Sequence, residues 1–171
     1  MKNARALLRK RGVLTLSELA SLVAGEDIRG TWWGHPKGKE IFAVATKLEE
    51  AEGVLVAKLV DGKVTYVDER LWPALLGVVL DTKWRRARTK KLSSDAKKLL
   101  ARVEKEGRVT TTKADAKAKK ELEASLLVRA SSEHTEKGHH ATVLAKWTAY
   151  DALPRRFDEA LAVLREHGIV L

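Results

Sequence analysis

The sequence predicts a mostly helical α+β chain of two small units in tandem, each closing on a β-hairpin. Three observations carry this. Apolar residues recur at helical spacing through most of the chain. Two apolar, β-branched runs flank Asp61-Gly62, a strong hairpin signal. The same order of helices followed by paired strands returns about 80 residues later, although few letters match.

Residues 3–11 read as a first helix, with Leu7, Leu8 and the later Val13 on its apolar side. A second helix begins at Thr15 or Leu16. Ser17 and Glu18 suit its first turn, and Leu16, Leu19, Ala20 and Val23 recur on one face until Gly25 ends it. Residues 30–38 form a glycine-rich turn carrying Trp32 and Trp33. Pro36 is expected in the first turn of a third helix, where its missing N–H costs nothing. That helix extends to about Glu50 with Ile41, Val44, Ala45 and Leu48 on one face. Residues 54–60 and 63–67 are the hairpin strands. A helix over residues 69–81 places Leu71, Leu75, Leu76 and Val79 inward, and Pro73 falls in its first turn.

The second half follows a dense basic stretch. Ser93 or Ser94 caps a helix over residues 95–106, with Leu99, Leu100 and Val103 inward, and Gly107 closes it. Residues 109–112 suggest a short strand, and residues 113–125 a basic helix. Residues 126–130 and 141–147 read as paired strands, with residues 131–140 as the tip between them. A last helix over residues 154–167 buries Phe157, Leu161 and Leu164. Helices followed by a hairpin make the winged-helix order. The expected organisation is therefore two winged-helix-like units with β-hairpin wings, at 1–82 and 93–171, joined by a basic linker at 83–92. The second unit is abbreviated, because residues 107–126 hold only one helix and a strand.

Charge is segregated. Residues 1–81 hold 12 Lys/Arg and 11 Asp/Glu, whereas residues 82–171 hold 21 and 12. A general solubility charge has no reason to divide this way, but an electropositive face for a polyanion does. The near-neutral residues 1–82 suit a protein partner or self-association. The chain has no cysteine, which excludes disulfides and thiolate metal sites and fits a reducing compartment. No apolar run nears the roughly 18 residues that span a bilayer, and residues 1–12 lack the apolar stretch of a signal peptide. No membrane association and a cytoplasmic location are expected.

Three short segments carry a resemblance. They are Gly30 to Pro36 (Gly-Thr-Trp-Trp-Gly-His-Pro), Leu71 to Leu76 (Leu-Trp-Pro-Ala-Leu-Leu), and the stretch from Leu126 through Glu133–His140 to Leu144 and Trp147. Together they resemble a group of bacterial winged-helix proteins related to the DNA glycosylases that excise alkylated bases and unhook crosslinks. The resemblance implies a winged-helix fold and a repair or chromosome-associated role; as partner, DNA is favoured over RNA. The glycosylases' catalytic motif uses paired glutamines or a glutamine with an acid. This chain has no glutamine, so no catalytic residue carries over.

Four constellations are candidates for function. Lys83, Trp84, Arg85, Arg86, Arg88, Lys90 and Lys91 form the densest basic stretch, suited to phosphate contact with the indole on a sugar or base. Lys113, Lys117 and Lys120 fall on one side of a helix that also carries Lys119, again suited to backbone contact because no Arg, Asn or Gln is there to read base edges. At the second wing tip, Lys137, His139 and His140 suit groove or phosphate contact. Glu133, His134 and Glu136 lie beside them, but the His-Glu-x-x-His register of a zinc protease is absent, and no metal is expected. Lys37, Gly38 and Lys39 form a candidate anion site at a helix start. No cofactor motif or catalytic set is evident. The expectation is non-enzymatic nucleic-acid binding, with a divergent glycosylase-like enzyme and a winged-helix protein-interaction module as its rivals.

Overall fold

In the computed structural model, residues 1–28, 30–60, 62–134, 140–147 and 152–171 are described, with only the backbone at 132–134 and 140. The chain divides into two compact units, Met1–Trp72 with Val163–Leu171, and Pro73–Ala162. This differs from the expected 1–82 and 93–171. The boundary falls just before Pro73, and the chain's end returns to the first unit. The expected linker is not a tether, because most of it is helical.

The first unit runs α1 (Lys2–Arg11), β1 (Val13–Thr15), α2 (Leu16–Ala24), α3 (Gly38–Glu49), β2 (Val54–Val60) and β3 (Lys63–Asp68). The strands form an antiparallel sheet in the order β1-β3-β2. Gly12 stops α1 with a left-handed φ of 82°, and its N–H donates to the Leu8 carbonyl at 2.7 Å. The turn frees Val13, expected on the helix face, to open β1 instead, opposite Val67. The hairpin strands lie where expected. Asp61 falls outside the described residues, and Gly62 takes a left-handed φ of 67°. Pro36 lies before α3 rather than within it, since the helix begins at Gly38. Leu8, Leu14, Leu19, Leu48 and Tyr66 are buried together as this unit's core.

Helix α2 starts on a reciprocal cap. The Glu18 N–H donates to the Thr15 hydroxyl at 3.2 Å, while the Thr15 N–H and hydroxyl each donate to Glu18 Oε2 at 2.8 Å. Burial pushes the Glu18 carboxyl up, but the two Thr15 hydrogen bonds and Arg11, 2.9 Å away, outweigh it and hold the carboxyl below the ordinary glutamate range. A depressed carboxyl stabilises the fold above its unfolded pKa and loses that contribution as pH falls through the folded one. Thr15→Ala is expected to lower stability by about 0.5–2 kcal/mol near neutrality. The difference from wild type should shrink in urea titrations below the ordinary glutamate pKa, and a deficit independent of pH would contradict the Glu18 link.

The second unit contains α5 (Thr82–Lys90), α6 (Ser94–Glu106), β4 (Arg108–Thr110), a 3-10 turn (Lys113–Asp115), α7 (Ala116–Ala124), β5 (Arg129–His134) and β6 (His140–Ala145). Helix α4 (Trp72–Val79) leads into it, and α8 (Phe157–Glu166) leads out. The strands are antiparallel in the order β4-β6-β5. Between β4 and β5 the chain forms one α-helix, entered through the 3-10 turn, as expected. The predicted strand over 126–130 begins only at Arg129. Leu126 instead turns the chain with a φ of 54°, rare for a residue with a side chain. Leu99, Leu100, Val103, Leu122, Leu127 and Leu144 are buried as the core, with Trp84 packed against it. Among the described residues no helix is long and apolar enough to cross a membrane.

Candidate nucleic-acid interface

Helix α5 is built almost without apolar residues, so its start depends on a cap. Asp81 Oδ1 accepts from the Trp84 N–H at 2.8 Å. Helical rotation then sorts the basic residues. Lys83, Arg86 and Lys90, spaced three and four apart, face solvent and have no carboxylate partner among the described residues. Trp84 and Arg88 share the opposite stripe. The indole rests on the core, and the Arg88 guanidinium lies 4.2 Å from the ring centroid. Burial lowers the Arg88 pKa, although a guanidinium stays charged at any physiological pH.

Two members of the expected set therefore depart from it. Trp84 is a half-buried core residue carrying an arginine, rather than an indole free to lie on a sugar. Arg85 turns inward. Its Nη1 donates to the carbonyls of Val79 at 3.1 Å and Leu127 at 3.2 Å, and its Nη2 meets Glu104 Oε1 at 3.2 Å. That guanidinium fastens α5 to α6 and to the turn before β5. Lys91 is exposed just beyond the helix.

Lys113, Lys117 and Lys120 are exposed as the helical spacing predicts. Lys119 is partly buried and donates to the Thr142 hydroxyl on β6 at 3.1 Å. Asp115 closes a cap on Thr112, accepting from its N–H and hydroxyl at 2.8 Å each. Those two bonds hold the Asp115 carboxyl below its ordinary range, with Arg102 adding a smaller pull.

Glu121 joins the helices. Its two oxygens accept from the Ser93 N–H at 2.7 Å and the Ser93 hydroxyl at 2.6 Å. Those bonds, the hydroxyl's first, keep the carboxyl below its ordinary range, and the charges of Lys117 and Lys97 assist. Lys97 and Lys117 thus flank one carboxylate. The Lys97 Nζ also donates to the Lys90 carbonyl at 3.4 Å. Exposed cations thus stand on all three helices, Lys83, Arg86 and Lys90 on α5, Lys97 on α6 and Lys117 on α7, and Lys97 reaches the end of α5 through the Lys90 carbonyl. Lys97 was missed by sequence reasoning. Its only signal was a place on the polar face of α6, shared with Lys98 and Arg102, and these two pair with Asp95 at 3.7 Å and Glu106 at 3.9 Å.

The remaining candidates fare differently. Lys137 and His139 lie outside the described residues, as do the side chains of Glu133, His134 and His140 and all of Glu136. Among the described residues no group of three His, Asp or Glu is placed to hold a metal ion. The anion site at α3 does not assemble. The Lys37 ammonium is spent on the carbonyls at the end of α2, donating to Ala24 at 2.9 Å, and the Gly38 N–H donates to the His35 carbonyl at 2.8 Å. Gly38 is there for space, since a Cβ would stand 3.3 Å from the carbonyl oxygens of both Trp32 and Trp33. Lys39 alone stays exposed. The chain matches no protein-family model, no curated protein and no solved structure at a significant level.

Proposed function

We propose that this chain binds double-stranded DNA without chemistry of its own, through phosphate-backbone contacts made by its basic second unit. The observation that carries this reading is the set of exposed cations on α5, α6 and α7, with Lys83, Arg86 and Lys90 unpaired among the described residues and Lys97 and Lys117 beside the Glu121 carboxylate. Flexible lysine stems make point-charge contacts and carry little sequence information. The expected binding is therefore salt-sensitive and nearly indifferent to sequence.

The reading includes the fold. In each unit the hairpin's last strand lies between its partner and a short strand, β1 after α1 and β4 after α6, and this order supports a winged-helix reading. On this reading the second unit has one helix where a full helix-turn-helix has two, and α7 carries no Arg, Asn or Gln to read base edges, which favours contact with the backbone. A repair role follows from the resemblance of the three short segments, and the lack of glutamine favours binding over base excision.

Titrating a labelled 20-base-pair duplex at several salt concentrations tests the proposal. Three to five phosphate contacts give a log–log salt slope of about −3 to −4.5. Binding absent at about 50 mM salt, or a slope near zero, would overturn it.

A further inference from the structure

The two adjacent tryptophans of the first unit have opposite fates. Trp32 is 9% exposed and is buried with Ala20 and Ile41. Trp33 is 69% exposed. Their rings are stacked, with centroids 4.2 Å apart and planes at 23°. Phe42, on the first turns of α3 and 47% exposed, stands 6.0 Å from Trp33 at a tilt of 39°. A ring that is stacked on one side and still exposes most of its area must turn its other face to water. Trp33 is thus an indole propped by a buried neighbour, and Gly38 holds the supporting turn close.

We infer that Trp33, with Phe42 beside it, is a stacking platform for one unpaired base of a bound nucleic-acid strand. The inference rests on nucleic acid being the partner, and it adds a second kind of contact in the other unit. Size decides between a base and a protein partner. A stable protein interface needs about 800 Å² from each side, whereas one indole supplies at most about 250 Å². Around it in sequence the other exposed residues are Thr31, Gly34, Lys37, Lys39 and Glu40, with only the small Pro36 and Ala43 apolar, too little to make a docking face of that size. A single flat ring with a rigid back matches the footprint of one base. Such stacking tolerates any base, because each has a π-face. It also needs no charge, in keeping with the near balance of cations and acids in residues 1–81.

The test uses the full chain and two probes, a paired 20-base-pair duplex and the same duplex with a gap leaving three thymines unpaired. Wild type is expected to prefer the gapped probe by about 5- to 100-fold, the range that stacking of one base supports. Trp33→Ala should erase that preference while leaving the paired-duplex affinity and its salt slope unchanged. Trp33→Phe should restore most of it. Both variants should stay folded in thermal melting, with Trp33→Ala losing at most the small stabilisation of its stack on Trp32. No preference in wild type, or a preference retained in Trp33→Ala, overturns the platform while leaving the phosphate reading standing. Failure of wild type to bind either probe overturns both. Self-association that Trp33→Ala abolishes, with DNA binding unaltered, would assign the ring to a second copy of the chain instead.

Discussion

Trp147→Ala is expected to destabilise the second unit by about 3–5 kcal/mol, the usual range for emptying a buried aromatic site. Trp147 follows β6 and is 1% exposed. Its indole N–H donates to the Leu126 carbonyl at 2.7 Å, across the sheet's connection. Leu126 is the residue with the left-handed φ of 54°, so the indole ties down the turn that least favours its own side chain. Removing the ring leaves a cavity, an orphaned carbonyl and an unsupported turn together. Trp147→Phe separates these terms, because it fills most of the volume but leaves the carbonyl unpaired, at about 1–3 kcal/mol. Whole domains are stable by only about 5–15 kcal/mol, so the alanine variant should sit near its unfolding threshold. Amide hydrogen exchange along α6 and β6 reads the unit separately from the rest of the chain. Protection there equal to that of wild type would mean the indole is dispensable.

Local patterns in this chain were legible where the signal was local. The β2–β3 hairpin announces itself through apolar alternation around Asp61-Gly62, and α6 through Ser93, its apolar stripe and Gly107. Strand β1 did not, because three residues carry too little pattern and their partners Thr65 to Val67 lie far along the chain. The 126–128 stretch looks like a strand since Leu-Leu-Val has the composition of one. Burial and the Trp147 hydrogen bond, both tertiary, make it a turn. Helix α5 was hidden because its five cations and scarce apolar residues read as a basic linker, and only the Asp81 cap argues otherwise.

The site was legible as a charge excess but not as a face. Arg85 and Arg86 are neighbours of one type, yet about 100° of helical rotation sends the first to Glu104 and leaves the second in solvent. Trp32 and Trp33 divide in the same way. Which neighbour turns inward depends on where the rest of the unit stands, and that information is spread over residues distant in sequence. The same holds for Lys97, whose approach to Lys90 follows from the packing of α5 on α6.

Reversing the charge of the α5 stripe should have the largest effect on binding. In a Lys83→Glu/Arg86→Glu/Lys90→Glu variant, three phosphate contacts are lost and three repulsions replace them. Each lost contact removes about 0.9 from the log–log salt slope, so the slope should flatten by about 3. At about 50 mM salt the affinity for a paired duplex should fall by at least 100-fold, and the deficit should shrink as salt rises. The fold itself should be little disturbed, because the three side chains are exposed and make no ion pair among the described residues. A glutamate at position 90 opposes the helix dipole, but at the surface that costs only about 0.3–1 kcal/mol. Loss of binding with an unchanged melting temperature would thus report on the interface alone. An affinity and slope like those of wild type would mean that the stripe faces water in the complex too, and the exposed cations on α5, α6 and α7 would then be a solvated surface and not a grip on DNA.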